Sequence, residues 1–241
     1  MAKTFKILRY DPMRDERPHF QEYAYDSKPA DTVLESLKEI RDHQDPSLAF
    51  RYSCREAVCG ACAMTINGKI GLACKTIVGR LGTDLIVIEP LPNFEIQKDL
   101  YVDLAPFWEA YRFIEPYLHS EGDLPPRGHR ISEEEMEKIA QYITCIMCAS
   151  CVAACPVASR DGRYLGPAAL AKLDRFVKDP RDKRPFAALA KVDTPTGVWG
   201  CDTVFRCNDV CPKSVRPADG IEGLRRTLIA RRTKRLFRGK R

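Results

Sequence analysis

Eleven cysteines in 241 residues constrain the fold of this chain more than any other feature of its sequence. An odd number cannot pair completely into disulfides, and no apolar run follows the N-terminus as it would in a secretory signal. We therefore expect a reducing compartment, where many cysteines indicate metal binding. They form three groups: Cys54, Cys59, Cys62 and Cys74; Cys145, Cys148, Cys151 and Cys155; and Cys201, Cys207 and Cys211.

The first group has the spacing C-x4-C-x2-C-x11-C, which is the pattern of plant-type 2Fe–2S ferredoxins. Each of the two irons takes two thiolates, and Gly60 inside the loop allows the backbone to approach the cluster. A structural zinc site is the alternative, but zinc favours two separated Cys-x2-Cys knuckles and this group has only one. The spacing therefore predicts a 2Fe–2S cluster on Cys54, Cys59, Cys62 and Cys74.

The second group has the spacing C-x2-C-x2-C-x3-C-P, typical of cubane clusters, in which the fourth cysteine ligates a different cluster. The third group repeats this pattern with Val204 in place of its second cysteine. Because valine cannot ligate iron, we expect that cluster to lack one iron; a degenerate site without a cluster is the alternative. The predicted ligands are Cys145, Cys148, Cys151 and Cys211 for a 4Fe–4S cluster, and Cys155, Cys201 and Cys207 for a 3Fe–4S cluster.

The periodicity of the chain predicts two domains of different class. Residues 1–105 are predicted to form strands at 4–10, 19–25, 63–66, 69–72 and 84–88, with a helix over 32–42 capped by Asp31. Asn67-Gly68 predicts a tight hairpin. Residues 106–241 are predicted to form helices at 132–143, 168–177, 186–191 and 217–236. We therefore expect an α+β chain, with a small sheet packed on one helix and then an all-α domain.

Basic residues are concentrated at the C-terminus. The formal charge is +6, but nine of the 39 Lys and Arg follow Glu222, so that the rest of the chain has 30 basic residues against 33 acidic ones. Such a tail can meet nucleic acid or an anionic membrane, and a solvated terminus is the alternative. The nine residues are Arg225, Arg226, Arg231, Arg232, Lys234, Arg235, Arg238, Lys240 and Arg241.

No catalytic residue is predicted. The four histidines stand in no repeated spacing, and the sequence has neither a plausible nucleophile–base pair nor a glycine-rich dinucleotide fingerprint. A flavin or nicotinamide would therefore belong to another chain. The sequence favours a protein that places and tunes clusters for electron transfer.

Four segments carry a family likeness: RYSCREAVCGAC at 51–62, LACKT at 72–76, CIMCASC at 145–151 and VCPK at 210–213. They resemble the iron–sulfur subunit of succinate dehydrogenase and fumarate reductase, the complex II family. The likeness covers nearly the whole chain and includes the cluster order. It implies an N-terminal β-grasp, ferredoxin-like 2Fe–2S domain followed by an all-α helical ferredoxin domain.

The resemblance also implies partners. A flavoprotein subunit would oxidise succinate on covalently bound FAD, and membrane anchor subunits, with or without haem, would hold quinone beside the 3Fe–4S cluster. Electrons would pass from FAD through 2Fe–2S, 4Fe–4S and 3Fe–4S to quinone, as in succinate:quinone oxidoreductase of the tricarboxylic acid cycle and respiratory chain. The subunit would lie at the cytoplasmic face of the inner (plasma) membrane, and we expect no nucleic acid partner.

Two departures from the family concern the quinone pocket, for which the resemblance implies Pro156, Asp202 and Val204. Many ubiquinone-linked members have a tryptophan shortly after the cysteine-proline and a histidine after the first cysteine of the third group. Here Val-Ala-Ser-Arg follows Pro156, and Asp202 replaces the histidine. A menaquinone-type acceptor is therefore an alternative to ubiquinone.

Three other functions stay open. The same complex can run in reverse as a quinol:fumarate reductase, and sequence cannot separate the two directions. The chain can also be the iron–sulfur subunit of another soluble oxidoreductase, such as a glycolate- or heterodisulfide-type enzyme, although Val204 argues against two full cubane patterns. A zinc-stabilised nucleic-acid-binding protein that uses the basic tail is the third.

Overall fold

The computed structural model describes residues 2–120, 125–183 and 185–238, with the backbone alone at 185 and 235–238. The chain divides into two compact units. The first consists of Met1–Ala105 and Ile146–Ala154, and the second of Pro106–Cys145 and Cys155–Arg241. The first break coincides with the boundary expected at 105. Ile146–Ala154, however, groups with the first unit, although the sequence pattern assigned it to the helical half. The division into domains 1–105 and 106–241 stays a prediction.

The first unit is built on a five-stranded mixed sheet. Its strands are β1 (Ala2–Arg9), β2 (His19–Asp26), β3 (Ala63–Ile66), β4 (Lys69–Leu72) and β5 (Leu85–Glu89), in the order β2-β1-β5-β3-β4. β1 pairs parallel to β5, and the other pairs are antiparallel. The predicted hairpin at Asn67-Gly68 is confirmed, with both residues at positive φ.

Helix α1 (Val33–His43) contributes its apolar face to the hydrophobic core of the first unit. Its apolar spacing places Leu34, Leu37 and Ile40 in the buried cluster with Phe5 and Ile7 of β1. The alternation of exposed and buried residues along β1 reflects the period of two in a strand.

The N-cap of α1 is Thr32 and not Asp31, so that detail of the prediction is wrong. The Thr32 hydroxyl accepts the Glu35 N–H at 3.2 Å, and the Glu35 carboxylate accepts the Thr32 N–H at 2.7 Å. This reciprocal capping box satisfies two otherwise unpaired donors. Asp31 instead accepts the N–H of Lys28 at 2.8 Å.

A short hairpin and a helix follow that were not predicted. Strands β6 (Ile96–Lys98) and β7 (Tyr101–Val102) form a two-stranded sheet, and α2 (Ala105–Phe113) begins at the expected domain boundary. Asp99, in the turn of this hairpin, is buried and accepts the Arg9 Nε–H at 2.9 Å. It also accepts the N–H groups of Tyr10 and Ala49, at 3.0 and 2.8 Å.

The second unit is helical, and no strand occurs among its described residues. Its longer helices are α3 (Glu133–Ile143), α6 (Gly166–Lys178), α7 (Pro185–Val192) and α9 (Pro217–Arg238), and α9 packs along α6. The predicted capping box of Ser132 and Glu135 is confirmed. The remaining short helices are α4 (Ser150–Ala153), which lies in the first unit, and α5 (Pro156–Arg160) and α8 (Arg206–Asp209).

The α+β fold class is therefore confirmed. In the parts of the chain that the structure describes, no helix is both long enough and apolar enough to span a bilayer.

Candidate metal centres

The first cysteine group lies in the loop between α1 and β3 and directly after β4. Cys54 Sγ accepts three backbone N–H groups, from Glu56, Val58 and Cys59, at 3.4, 3.2 and 3.2 Å. Arg55 and Ala57 have positive φ, which turns these N–H groups toward the sulfur. The hydrogen bonds lower the pKa of Cys54 to about 7. The loop is thus built to stabilise a thiolate.

The other three thiols face the same loop. Cys59 Sγ accepts the N–H of Cys54 at 3.5 Å, and Cys74 Sγ accepts the N–H of Ala57 at 3.3 Å. Burial raises the pKa of Cys62 to about 12, and the charges of the neighbouring Cys74 and Cys59 thiolates reinforce the rise. Bringing several thiolates this close together costs electrostatic free energy unless cationic iron offsets their negative charge. The four cysteines therefore fit a 2Fe–2S cluster.

Gly60 in this loop packs against the segment Ile146–Ala154 of the same unit. Its φ is +74°, and a Cβ built there would lie 2.6 Å from Cys148 Cβ and 3.0 Å from the Ile146 carbonyl oxygen. The Asn93 amide also holds this segment, by donating to the carbonyl oxygens of Val152 and Ala153 at 3.0 and 2.8 Å. The segment therefore belongs to the first unit by close packing and by hydrogen bonds.

Replacing Gly60 by alanine is expected to remove most of the 2Fe–2S cluster. The left-handed φ costs a non-glycine residue about 1–2 kcal/mol, and the added methyl must also displace backbone at Ile146. The control is Gly68→Ala, where φ is +72° and nothing lies within 4 Å of the added Cβ. Iron content and the visible circular dichroism of the 2Fe–2S cluster measure the difference. Equal cluster content in the two variants would contradict this reading of Gly60.

The three cysteines predicted to hold the 3Fe–4S cluster line one pocket of the second unit. Val204 and Tyr164 line the same pocket as Cys155, Cys201 and Cys207. Burial raises the pKa of Cys207 to about 11, and the Cys201 and Cys155 thiolates add to the effect. The three thiols are thus brought together, with the valine beside them.

The loop between Cys201 and Cys207 has an unusual backbone. Thr203 and Phe205 both have positive φ, which is uncommon for residues with side chains. The Thr203 N–H is directed at Cys201 Sγ at 3.3 Å. Val204 stands between these two residues and is half exposed. The sulfur-directed N–H and the grouped thiols fit a cluster with three protein ligands.

The three predicted quinone-pocket residues also line this pocket. Pro156 is the first residue of α5, and Val204 stands in the 201–207 loop. Asp202 also lines it, and its carboxylate accepts from Arg160 Nη2 at 3.0 Å, with both side chains largely exposed. The three residues therefore lie in the wall of the same pocket as the cysteines.

Cys145 and Cys211 both pack against one small buried cluster of the second unit, formed by Tyr142, Ala171 and Val215. Cys148 and Cys151 lie in the segment that groups with the first unit, and Cys148 Sγ contacts Ser150 Oγ at 3.3 Å. The four-cysteine ligand set for the 4Fe–4S cluster stays a prediction.

Sequence reasoning missed two side chains at these sites. Burial raises the pKa of Tyr164 well above its ordinary value, and the Cys201 thiolate adds to the rise. The Lys172 ammonium donates to the Tyr142 carbonyl oxygen at 3.3 Å; burial lowers its pKa, and the Cys145 thiolate opposes that shift. Neither residue belongs to a local motif, so no pattern in the sequence could have found them.

Within residues 2–120, 125–183 and 185–238, no three Cys, His, Asp or Glu side chains converge on the position of a single metal ion. The grouped thiols are the candidate ligands of clusters that contain several irons.

A mixed sheet with one cysteine loop, followed by helices with two cysteine patterns, defines a class of protein: an electron-transfer subunit with iron–sulfur clusters. The family model for a 2Fe–2S iron–sulfur cluster binding domain matches residues 4–109, and that for a 4Fe–4S dicluster domain matches residues 141–215. The chain belongs to the family of iron–sulfur subunits of succinate dehydrogenase and fumarate reductase. The predicted resemblance is thereby confirmed.

Individual relatives agree with this assignment. The succinate dehydrogenase iron–sulfur subunit of Paracoccus denitrificans is 38% identical over 232 residues, which cover 95% of this chain and 89% of the relative. The fumarate reductase iron–sulfur subunit of Haemophilus influenzae is 37% identical over 228 residues, covering 90% and 89%. A chain of the Mycobacterium smegmatis Sdh1 complex in the apo form has the same fold, with a TM-score of 0.87, 24% identity and coverage of 95% and 96%.

The predicted 2Fe–2S and 4Fe–4S cofactors and the electron-transfer role are confirmed by these matches, and a 3Fe–4S cluster fits the family. Membership of this family also implies a flavoprotein partner and membrane anchor partners.

Proposed function

We propose that this chain carries electrons from the FAD of its flavoprotein partner through 2Fe–2S, 4Fe–4S and 3Fe–4S clusters to membrane quinone. The observation that carries the proposal is Val204 in the wall of a pocket lined by three cysteines. The proposed ligands are Cys54, Cys59, Cys62 and Cys74; Cys145, Cys148, Cys151 and Cys211; and Cys155, Cys201 and Cys207.

Bound iron–sulfur clusters supply one-electron transfer, and the protein sets their potentials through hydrogen bonds, charge and burial. At Cys54, three N–H groups stabilise negative charge on the sulfur. At Cys207, burial and a wall of apolar side chains exclude water. These opposite environments support different potentials for the first and last clusters.

We further propose that Pro156, Asp202 and Val204 face the quinone. Their common position in the wall of one pocket supports this, since an acceptor must come close to the last cluster. Asp202, which pairs with Arg160, stands where many ubiquinone-linked relatives have histidine, so that a menaquinone-type acceptor is the alternative to ubiquinone. Extraction of the quinone that copurifies with the native complex tests this assignment.

Succinate oxidation is the proposed direction, and fumarate reduction is the second candidate. The chain is about equally similar to a succinate dehydrogenase subunit and to a fumarate reductase subunit, at 38% and 37% identity. The purified complex should be assayed in both directions with its own quinone. A faster quinol:fumarate reaction would overturn the proposed direction and leave the cluster assignment intact.

We also propose that anchor subunits hold this chain at the cytoplasmic face of the plasma membrane, and that it has no nucleic acid partner. Two residues of the basic tail make contacts within the second unit, which supports the absence of a nucleic acid partner. Arg231 stacks on the Phe186 ring at 4.3 Å, and the Arg232 guanidinium donates to both Asp193 carboxylate oxygens at 2.6 and 2.8 Å. Protease treatment of inside-out and right-side-out vesicles tests the proposed face.

The cofactor content is the most direct test of the ligand set. We expect about nine irons per chain in the intact complex, because the three proposed clusters contain two, four and three irons. The oxidised complex should give the EPR signal of a 3Fe–4S cluster. A colourless, EPR-silent protein that contains zinc would support the alternative of a zinc-stabilised protein. A fully oxidised, iron-replete sample without the 3Fe–4S signal would contradict the assignment of Val204.

A further inference from the structure

We propose that Arg225 of α9 is a positioning residue for the 3Fe–4S cluster, because it holds the loop that presents Cys201. This proposal rests on the proposed function, in which Cys201 is a ligand of that cluster. Arg225 was recognised in the sequence only as the first residue of the basic tail, and no cysteine motif includes it.

The Arg225 guanidinium binds three acceptors that bracket Cys201. Its Nε–H donates to the Val198 carbonyl oxygen at 2.8 Å, and Nη2 donates to the Cys201 carbonyl oxygen at 2.5 Å. Nη1 donates to the Thr203 hydroxyl at 2.9 Å. The side chain is only 17% exposed. One rigid fork therefore spans the residues before, at and after the cysteine.

The packing of α9 in the second unit fixes the position of the Arg225 backbone. Leu224 and Leu228 of α9 are buried in the helical core on either side of Arg225 in sequence. Arg225 also lies over the Trp199 ring, 5.9 Å from its centroid, and the Trp199 Nε1–H donates to Asp193 at 2.6 Å. Because α9 is packed in the core, the planar Arg225 side chain holds the loop in a fixed position relative to this helix.

The backbone of this loop is strained and requires stabilising contacts. Thr203 and Phe205 have positive φ, a conformation that costs a residue with a Cβ about 1–2 kcal/mol. Strained residues keep such a backbone only where surrounding contacts over-determine it. Arg225 bonds Thr203 itself and the preceding Val198 and Cys201 carbonyl oxygens, and its fork geometry is one that lysine cannot reproduce.

Arg225 also places positive charge beside the site. A cation near a cluster favours its reduced, more negative state and raises the potential. Glu222 lies 3.3 Å from Arg225 Nη1 and offsets part of this charge. The charge that remains therefore favours a higher potential for the cluster.

The test is an EPR-monitored redox titration of the complete complex with Arg225→Gln, Arg225→Lys and Arg226→Gln. Arg226 is the matched control, because it neighbours Arg225 but is exposed, and its Nε–H donates a long hydrogen bond to the Glu222 carbonyl oxygen of its own helix, at 3.4 Å. We expect a lower 3Fe–4S midpoint potential in Arg225→Gln, an intermediate one in Arg225→Lys and the wild-type value in Arg226→Gln. The 2Fe–2S potential should not change in any variant.

Two results would overturn the proposal: a wild-type 3Fe–4S potential in Arg225→Gln, or an equal shift in Arg226→Gln, which would indicate a diffuse charge effect. Arg225→Gln cannot be titrated if it lacks the 3Fe–4S signal altogether, and Arg225→Lys then decides the question. A lowered 3Fe–4S potential in Arg225→Lys supports the proposal, and a wild-type potential overturns it. Cys201→Ser separates the two proposals. An unchanged 3Fe–4S signal in that variant overturns the ligand set, whereas its loss alongside an unshifted Arg225→Gln overturns only the role of Arg225.

Discussion

Replacing Val204 by cysteine is expected to convert the 3Fe–4S cluster to 4Fe–4S in at least part of the molecules and to slow quinone reduction. The new thiolate would stand in the pocket that Cys155, Cys201 and Cys207 line, at the position of the missing ligand. An added iron and thiolate change the net charge of the cluster and lower its potential. For a one-electron step, each lowering of about 59 mV reduces the equilibrium constant about tenfold.

Iron analysis and EPR measure the conversion. Iron should rise from about nine toward about ten per chain, while the 3Fe–4S signal falls. Val204→Ala is the matched control, because it removes the same side chain without adding a ligand, and it should keep the 3Fe–4S cluster. Single serine variants of Cys155, Cys201 and Cys207 should each lose that signal. If the signal persists in all three, the alignment that assigns Val204 to the missing ligand is wrong.

Replacing Asp99 by alanine is expected to destabilise the first unit by about 3–5 kcal/mol, since it removes one of the two carboxylates that pair with the buried Arg9 guanidinium and leaves two backbone N–H groups without their acceptor. The Asp99 side chain is 2% exposed and also accepts the N–H groups of Tyr10 and Ala49. Arg9 further contacts Tyr23 and Asp45, so that one cation joins the sheet to the segment before the cysteine loop. With a urea slope of about 2 kcal/mol/M, the midpoint should fall by about 1.5–2.5 M.

Asp84→Ala is the control for this variant. Asp84 pairs with Lys3 at 2.6 Å in the same unit, but its side chain is 88% exposed, so its loss should cost at most about 1 kcal/mol. Urea titration of the cluster-loaded chain, followed by circular dichroism and by the visible absorbance of the clusters, measures both variants. Similar midpoints for Asp84→Ala and Asp99→Ala would show that the buried Arg9 network does not stabilise the unit.

The features predicted correctly from sequence are those that depend on neighbours along the chain. The capping box at Ser132 needs only a glutamate three residues later, and the Asn67-Gly68 turn needs only two residues that tolerate positive φ. The close cysteine spacings act in the same way, because two or three of the proposed ligands of each cluster come from one short loop. The pattern with Val204 predicts an incomplete third cysteine set on the same kind of local evidence, and that ligand set stays a prediction.

Local reasoning was less accurate where two neighbouring residues compete for one role. Asp31 and Thr32 are both good N-cap residues, and sequence alone favoured the wrong one. The capping box with Glu35 favours Thr32 because it satisfies two backbone donors at once. The β6–β7 hairpin was missed since its strands have only three and two residues, too few to show a period.

What only the tertiary structure decided is which distant residues meet. Asp99 binds Arg9 across 90 positions, and Arg225 reaches the Cys201 carbonyl across 24. Gly60 meets Cys148, which is why the segment Ile146–Ala154 belongs to the first unit. The sequence by itself indicated the 2Fe–2S and 4Fe–4S clusters that the family models support, because spacing limits which thiolates can share iron. The supports around those clusters come from long-range packing and buried charge pairs, whose partners no local pattern specifies.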